Sequence, residues 1–270
     1  MTEKNGILAV SFGTSFPDTR KKTLDQVEAD LRKQNPQWKI FRAWTSGRIR
    51  RKIARRDNLV IPDVRGALEQ MRREGITRAV IQPTHVLNGI ENEQMLSEIR
   101  EFRDQFEFFG VGDPLLTSQE DCERVVRVIA EEIPLDSDEV LVLMGHGTSH
   151  YSNFVYAALD YLFRDQGYSR MLMGTVEAYP SFETVLKQVR ILAPGRVVLS
   201  PFMMVAGDHA VNDLAGEDDD SWKSRFEKEG FPVRCVLKGL GEYQGIRDII
   251  LDHAQAAMKH LDQGSGGEEE

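Results

Sequence analysis

The chain has 270 residues, of which 41% are hydrophobic, so it is long enough to form two α/β lobes with buried cores. The formal net charge of −9 at pH 7 argues against nucleic acid or an anionic membrane as the main partner. Cys122 and Cys235 lie far apart and outside any CxxC spacing, which predicts free thiols in a reducing compartment. The N-terminal apolar run is too short for a signal peptide, and no stretch approaches the roughly 18 apolar residues of a membrane span, so we expect a cytoplasmic protein.

Short β-branched runs alternate with longer amphipathic segments along the chain. The runs predict strands at Gly6–Ser11, Trp38–Trp44, Ala79–Gln82, Phe106–Val111, Glu139–Met144, Met171–Val176, Arg196–Ser200 and Val233–Leu237. The segments between them predict helices, among them Thr19–Gln34, Val64–Glu74, Glu91–Gln105 and Glu120–Glu132. This alternation predicts an α/β fold with parallel sheets and helices on both faces. Ligands of such folds bind beyond the carboxyl ends of the strands.

Two loops of the chain have nearly the same sequence. Ile7–Ser15 and Val140–Ser149 are apolar runs that both end in Gly-Thr-Ser, and only the second includes a histidine, His146. Two further pairs of segments match in the same order, namely Ala79–Gly89 with Val197–Gly207 and Gly110–Asp113 with Gly239–Glu242. The repetition predicts two similar lobes, with His146 facing the cleft between them.

The polar connector Pro134–Asp138 suggests where one lobe ends and the other begins. We therefore expect a first lobe at residues 1–135 and a second lobe at 136–262. The last helix, Tyr243–Leu261, is a candidate to pack back on the first lobe. Residues 263–270, which are rich in glycine and glutamate, are expected to form a disordered tail.

Three polar side chains follow successive predicted strands of the second lobe: His146, Glu177 and His209. Overlaying the two halves puts His209 at the position that Glu91 takes in the first lobe, and pseudo-twofold symmetry would place these two residues across the cleft from each other. Two imidazoles and a carboxylate suit a divalent first-row metal with open coordination positions. Roles in capping or packing remain open alternatives for each residue at this point. Neither GxGxxG nor GxxxxGK[ST] occurs, so a nucleotide site has little support.

The chain resembles the anaerobic cobalt chelatases of cobalamin biosynthesis, the sirohydrochlorin cobaltochelatase family CbiK. The resemblance runs through Val10–Ser15, Phe41–Gly47, Met144–Gly147, Val176–Pro180, Val205–Asp213 and Asp220–Lys223. It implies the class II chelatase fold, with two Rossmann-like lobes around a tetrapyrrole cleft. It also implies that His146, Glu177 and His209 are the metal ligands and that Glu91 is the carboxylate across the cleft.

The activity that the resemblance implies is insertion of Co²⁺ into sirohydrochlorin in the early-cobalt route to cobalamin. The partners are then sirohydrochlorin and a divalent metal, with no cofactor beyond that substrate metal. We expect His146 and His209 to hold the metal with Glu177 and to help deprotonate the macrocycle, while Glu91 removes protons on the other face. Insertion of Fe²⁺ or Ni²⁺ on the same scaffold is one alternative, because ligand identity does not favour Co²⁺ over Ni²⁺. A non-enzymatic tetrapyrrole or metal carrier is the other.

Contacts with the macrocycle are expected from two glycine-containing loops, since glycine lets the backbone approach a ligand closely. The residues are Ser11, Phe12, Gly13 and Thr14 in the first loop and Leu87, Asn88 and Gly89 in the second. The basic run Arg48–Arg56 is either a carboxylate-binding surface or a solvated helix face. His85 is expected to be partly buried with its hydrogen bonds satisfied. A homo-oligomer is left open.

Overall fold

The computed structural model describes residues 4–263, and their side chains as far as residue 259. Its strands are β1 (Asn5–Ser11), β2 (Trp38–Trp44), β3 (Arg78–Pro83), β4 (Phe108–Val111), β5 (Glu139–Gly145), β6 (Met171–Thr175), β7 (Arg196–Phe202) and β8 (Val233–Cys235). Its α-helices are α1 (Pro17–Lys22), α2 (Leu24–Gln34), α3 (Gly47–Asp57), α4 (Val64–Arg73), α5 (Ile90–Ile99), α6 (Gln119–Glu132), α7 (Phe154–Asp165), α8 (Phe182–Leu192), α9 (Trp222–Lys228) and α10 (Gln244–Gln263). None of these helices is long and apolar enough to cross a membrane.

Every predicted strand is present, and its ends lie within about two residues of those expected, the usual uncertainty of such boundaries. The helices differ more. The segment expected as one helix, Thr19–Gln34, is divided at Thr23, whose φ of −121° and ψ of −87° are not helical. The Thr23 hydroxyl donates to the Thr19 carbonyl at 2.7 Å, so the side chain satisfies a backbone group where the helix stops. The segment expected to end at Gln105 is helical only to Ile99 and continues as a 3-10 helix over Arg100–Gln105.

Unit 1 ends at Thr117 and resumes at Arg247. Its sheet has the strand order β2-β1-β3-β4, and every neighbouring pair is parallel. Apolar side chains of the strands, such as Leu8 and Ile81, share a core with Leu68 of α4 and Met95 of α5. The near-continuous apolar runs of β1 and β3 are typical of strands that are covered by helices.

Unit 2 runs from Ser118 to Ile246. Its sheet has the order β6-β5-β7-β8, again with all neighbouring strands parallel. Strand β5 is buried along its whole length, and Val142 shares a core with Leu199 of β7, Val185 of α8 and Phe226 of α9. The carboxyl end of this buried sheet therefore carries the loops that follow β5, β6 and β7.

The internal repeat is visible in the sheets. In each unit the second strand lies at the edge beside the first, and the third and fourth strands follow on the other side. Strands β1 and β5 therefore correspond, as do β3 and β7. The third pair of matching segments does not correspond in this way, because Gly110 lies inside β4 whereas Gly239 comes after the end of β8.

The boundary between the units differs from the one expected near Pro134–Asp138 by one helix. Helix α6 belongs to unit 2, because it packs against α7. The last helix, α10, belongs to unit 1 from Arg247 onwards. There Arg247 Nε donates to Asp30 Oδ2 at 2.7 Å, and Gln255 Nε2 donates to Asn35 Oδ1 at 2.7 Å. A disordered tail was expected at residues 263–270, and residues 264–270 lie outside the described part of the chain.

Candidate metal centre

His146 follows directly after β5 and is presented by two glycines. A Cβ on Gly145 would lie 2.4 Å from the Tyr156 ring. Gly147 has a φ of +85°, and a Cβ there would lie 2.9 Å from both the backbone nitrogen and the Cβ of Ala178. Only glycine fits such a position, since other residues are disfavoured at positive φ and have no room. The turn leaves the His146 side chain 48% exposed, and its Nδ1 lies 2.9 Å from the Gly147 carbonyl oxygen.

Glu177 is held beside His146 by backbone hydrogen bonds that extend the pairing of β5 and β6. Val176 N donates to the Gly145 carbonyl and Glu177 N donates to the His146 carbonyl, each at 3.0 Å. Asn153 also joins the two loops, because its Oδ1 accepts from Thr148 N at 3.0 Å and its Nδ2 donates to the Tyr179 carbonyl at 2.6 Å. The positions of the imidazole and the carboxylate are therefore coupled.

His209 lies in the turn after β7, immediately before a short π-helix, Ala210–Leu214. Its Nδ1 lies 2.8 Å from Asp213 Oδ2, one helical turn further on. Asp213 is not among the site residues predicted from the sequence. The available signal was the spacing, because side chains four residues apart on a helical turn lie next to each other.

The three side chains that were expected to follow strand ends converge in unit 2. One ligand atom from each of His146, Glu177 and His209 can be chosen so that all three atoms lie within 4.8 Å of one another. His146 Nδ1 lies 3.8 Å from Glu177 Oε2, and the two imidazole rings meet edge to face with centroids 4.6 Å apart. The three side chains are 33–57% exposed, so an ion can reach them from solvent.

In both histidines the ring nitrogen Nδ1 faces an oxygen atom. Nδ1 of His146 faces a carbonyl oxygen and Nδ1 of His209 faces a carboxylate. Both partners accept hydrogen bonds, so they favour the tautomer with the proton on Nδ1, which leaves the lone pair of Nε2 for a metal. An oxygen partner on the other ring nitrogen is the usual support of a metal-binding histidine. The arrangement can hold a first-row divalent ion through three ligands and leave coordination positions open.

The first predicted macrocycle-binding loop, in unit 1, combines buried hydroxyls with an exposed ring. Ser11 is buried and its Oγ accepts from the Thr84 hydroxyl at 2.9 Å, while the buried Thr14 hydroxyl accepts from Phe16 N at 3.2 Å. These hydroxyls stabilise the turn. Phe12 is 47% exposed. Gly13 has a φ of +99°, and a Cβ there would lie 2.6 Å from the Trp44 ring, so it parallels Gly147 of unit 2.

The second predicted loop leads into α5. Asn88 Oδ1 accepts from Asn92 Nδ2 at 2.8 Å, and Leu87 pairs with Leu116 in an isolated bridge. Gly89 precedes α5, and Glu91 is exposed in its first turn.

Glu91 and His209 occupy equivalent positions in the local structure of the two units. Glu93 N donates to the Gly89 carbonyl at 2.9 Å, and Val211 N donates to the Gly207 carbonyl at 3.1 Å. Each residue thus lies two places after the glycine that accepts this bond. That Glu91 faces the histidines stays a prediction.

His85 differs from expectation in its hydrogen bonding. It is buried, and its Nδ1 lies 3.5 Å from Asn92 Oδ1. Within the described part of the chain its Nε2 has no hydrogen-bond partner, although a satisfied histidine was expected. Burial lowers the pKa of the His85 imidazole below its ordinary value, so the ring is neutral at pH 7.

The chain matches a known protein family over almost its whole length. A family model described as cobalt chelatase (CbiK) matches residues 5–259. The chain belongs to the CbiK cobalt chelatase family. It is therefore an enzyme of the metal chelatase class, and the divalent metal is its substrate.

Two relatives are similar to the chain over nearly their whole length. The chain is 38% identical over 256 residues to the sirohydrochlorin cobaltochelatase of Salmonella typhimurium, covering 94% of this chain and 97% of the relative. It is 34% identical over 263 residues to the sirohydrochlorin cobaltochelatase CbiKC of Nitratidesulfovibrio vulgaris, covering 96% of this chain and 92% of that protein.

Solved structures with a similar fold include two of SirB. One, from Bacillus subtilis with Fe³⁺, has a TM-score of 0.66 at 11% identity and covers 96% of this chain and 98% of its own. The other is the sirohydrochlorin chelatase SirB from Bacillus subtilis subspecies spizizenii in complex with cobalt. It has a TM-score of 0.64 at 12% identity, and the match covers 96% of this chain and 97% of that one. At such low identity the likeness establishes the fold alone, and the predicted class II chelatase fold is confirmed.

Proposed function

We propose that this CbiK-family enzyme inserts Co²⁺ into sirohydrochlorin in the anaerobic route to cobalamin. The observation that carries the proposal is the convergence of His146, Glu177 and His209 at one end of the unit 2 sheet. Family membership and the names of the two relatives support the substrate pair. Sirohydrochlorin, unlike a nucleotide or a peptide, offers four ring nitrogens that can take a divalent ion from such a cluster.

The cluster has the properties that a substrate metal requires. Both histidines would bind Co²⁺ through Nε2 and Glu177 would bind it through a carboxylate oxygen. Because three protein ligands leave positions open, ring nitrogens can bind the ion before the protein releases it. Partial exposure of all three side chains allows the ion to enter and leave.

Insertion must also remove protons, because the macrocycle exchanges two pyrrole N–H protons for one divalent ion. When Co²⁺ leaves Nε2 of His146 or His209, the freed lone pair can accept one of these protons, since the pKa of imidazole lies near neutrality. Glu91 is our candidate for removing a proton on the other face of the ring. The charge of the macrocycle then stays the same, because two protons leave it for each Co²⁺ that is inserted.

Neither alternative is favoured, because the matching family and both relatives are named as cobalt chelatases. Insertion of Fe²⁺ or Ni²⁺ would use the same residues, because two imidazoles and one carboxylate bind all three ions and the affinity order does not favour Co²⁺. A non-enzymatic carrier is not favoured, since the chain belongs to a family of chelatases.

An anaerobic absorbance assay with sirohydrochlorin tests the function. Purified protein is mixed with the macrocycle and Co²⁺, Fe²⁺ or Ni²⁺ in separate reactions. We expect fastest turnover with Co²⁺, and a loss of about two orders of magnitude or more in His146→Ala and His209→Ala. His253→Ala is the matched control, because this histidine bonds to the Asp113 carbonyl in unit 1 and should be dispensable. Near wild-type rates in both ligand variants would contradict the assigned roles. Spectral binding without turnover for any metal would favour the carrier.

We also propose the cytoplasm as the compartment, because both cysteines are free thiols. Burial raises the pKa of the Cys122 thiol to about 11, so it stays protonated at pH 7. Recovery of the native protein in a periplasmic or secreted fraction after cell fractionation would contradict this placement.

A further inference from the structure

Helix α3 carries a row of cations along one side. Arg48, Arg51, Lys52 and Arg55 are spaced at i, i+3, i+4 and i+7, so they project from one face, and all four are exposed. The opposite side packs on unit 1 through Ile53, which is buried. We call the four residues the basic face.

The charges of the basic face differ in their pairing from their neighbours on the same helix. No ion pair is found for any of its four residues within the part of the chain that the structure describes. Two neighbours on the same helix are paired, since Arg50 contacts Asp63 at 3.1 Å and Arg56 contacts Asp57 at 2.7 Å. Four cations without an ion-pair partner among the described residues are unexpected in a chain whose net charge is −9, since acidic side chains outnumber basic ones. Like charges at helical spacing also repel each other.

Arg48 also lies at a position in α3 that is unfavourable for a cation. Helix α3 begins after the N-cap Ser46, and its first turn contains no acidic residue. Arg48 therefore lies at the positive end of the helix dipole, where an anion is favoured and a cation is not. An anionic ligand would relieve both the repulsion within the face and this unfavourable interaction.

Backbone bonds place α3 beside the exposed Phe12 loop. Thr45 N donates to the Ser11 carbonyl at 2.9 Å, and Ser46 N donates to the Phe12 carbonyl at 3.2 Å. At the other end of the helix, Arg56 Nη2 donates to the Ser15 carbonyl at 2.6 Å. Helix α3 thus lies along the turn at the carboxyl end of β1, the edge of a parallel sheet at which ligands bind. Phe12 adds an exposed apolar ring next to the cations.

The cations of the basic face also lie close together in space. The side chains of Arg48, Arg51, Lys52, Arg55 and Arg56 surround an open depression of about 500 Å³. Guanidinium groups bind carboxylates through two parallel hydrogen bonds, so several arginines around one depression suit a ligand with several carboxylates.

We propose that the basic face of α3 binds the peripheral carboxylates of the tetrapyrrole substrate and selects macrocycles rich in acetate and propionate side chains. This inference rests on the proposed function, whose substrate is a polycarboxylate with a flat apolar ring. The cations hold the carboxylates, and Phe12 offers an apolar surface to the ring. Metal binding belongs to unit 2 and is independent of this face.

The test replaces three charges of the basic face together, in Arg51→Gln/Lys52→Gln/Arg55→Gln. The matched control, Lys22→Gln/Arg32→Gln/Lys33→Gln, removes the same number of charges from exposed residues of α1 and α2 in unit 1. Glutamine is a good helix former, so both proteins should fold, which circular dichroism checks. Arg55→Gln alone is a milder second variant. Binding of metal-free sirohydrochlorin is followed by its absorbance, and Co²⁺ binding is measured by calorimetry.

We expect the Kd for sirohydrochlorin to rise at least tenfold in the triple variant and several-fold in Arg55→Gln, with a weaker dependence on salt than in the wild type. The Kd for Co²⁺ and the behaviour of the control should not change. The methyl ester of sirohydrochlorin, which has no carboxylates, should bind the wild type and the triple variant equally.

Unchanged sirohydrochlorin affinity in a triple variant that turns over normally would overturn the inference and leave the proposed function intact. Equal weakening in the control would also overturn it, since the effect would then be one of net charge. If the wild type neither bound sirohydrochlorin nor inserted a metal, the proposed function would fail and the inference with it.

Discussion

At the scale of single residues, glycine at positive φ shapes a turn in each unit. Gly13 and Gly147 follow corresponding strands, and a Cβ on either would approach a neighbouring atom closer than 3.0 Å. In unit 2 that neighbour is Ala178, which follows Glu177. The position of Gly147 therefore affects two of the three candidate ligands.

Replacing Gly147 by alanine should disrupt the metal centre. The new methyl group would push the Glu177 loop away, and the positive φ adds backbone strain. We expect the affinity for Co²⁺, measured by calorimetry, to fall by about tenfold or more. Gly167→Ala is the matched control, because Gly167 has a φ of +89° and no atom within 4 Å of the added Cβ. Similar Co²⁺ affinities in the two variants would show that the clash is unimportant.

Asp213 should act on the metal through His209. Its carboxylate accepts from Nδ1 and holds the ring with Nε2 free. We expect Asp213→Ala to weaken Co²⁺ binding by about 10–100-fold, the usual effect of losing such a partner. Asp165→Asn removes a carboxylate of the same unit at the exposed end of α7 and should have no effect. Wild-type affinity in Asp213→Ala would mean that His209 needs no such support.

At the scale of elements, a buried carboxylate joins three strands of unit 2. Glu139 at the start of β5 contacts Arg196 of β7 at 3.3 Å and Arg234 of β8 at 3.0 Å, with its own side chain 3% exposed. Burial by itself raises the pKa of the Glu139 carboxyl, but hydrogen bonds from Arg234, from Asp136 N and from Arg196 outweigh it and hold the pKa below the ordinary value.

The lowered pKa of Glu139 predicts a pH-dependent contribution to stability. A carboxyl whose pKa is lower in the folded state stabilises the fold above its unfolded pKa, and this contribution is lost as the pH falls through the folded pKa. We expect Glu139→Gln to reduce the free energy of unfolding by about 1–3 kcal/mol at pH 7 and by less at pH 3, as measured by urea denaturation. Glu183→Gln, which removes an exposed partner of Arg225, should change it less. An equal loss at both pH values would contradict the electrostatic explanation.

At the scale of the whole molecule, the three candidate ligands all come from unit 2. Binding of Co²⁺ should therefore stabilise the folded state without any ligand from unit 1. At a free Co²⁺ concentration of 100 times Kd the gain is about 2.7 kcal/mol. We expect Co²⁺ to raise the Tm of the wild type and of His253→Ala in scanning calorimetry, but not that of His146→Ala. The same rise in His146→Ala would place the metal elsewhere.

The strands and the candidate ligands could be predicted from the sequence because both depend on local patterns. A strand of a covered parallel sheet is a continuous apolar run, and the ligands stand directly after such runs in two copies of one pattern. The interruption at Thr23 could not be predicted, because it depends on one side-chain hydrogen bond to the backbone. Asp213 and Asn153 were missed for a similar reason, since each matters only through the loop that it contacts.

The sequence by itself thus determined the alternation of strands and helices, the internal repeat and the residue types available to a metal. Tertiary structure alone decided which unit takes α6 and α10 and how the loops after β5 and β6 are joined. It also decided that the four residues of the basic face have no ion-pair partner among the described residues. These features depend on contacts between residues far apart in the chain, such as Arg247 with Asp30. The periodicity of apolar residues indicates which side of a helix or strand is buried, but it does not indicate which element covers that side.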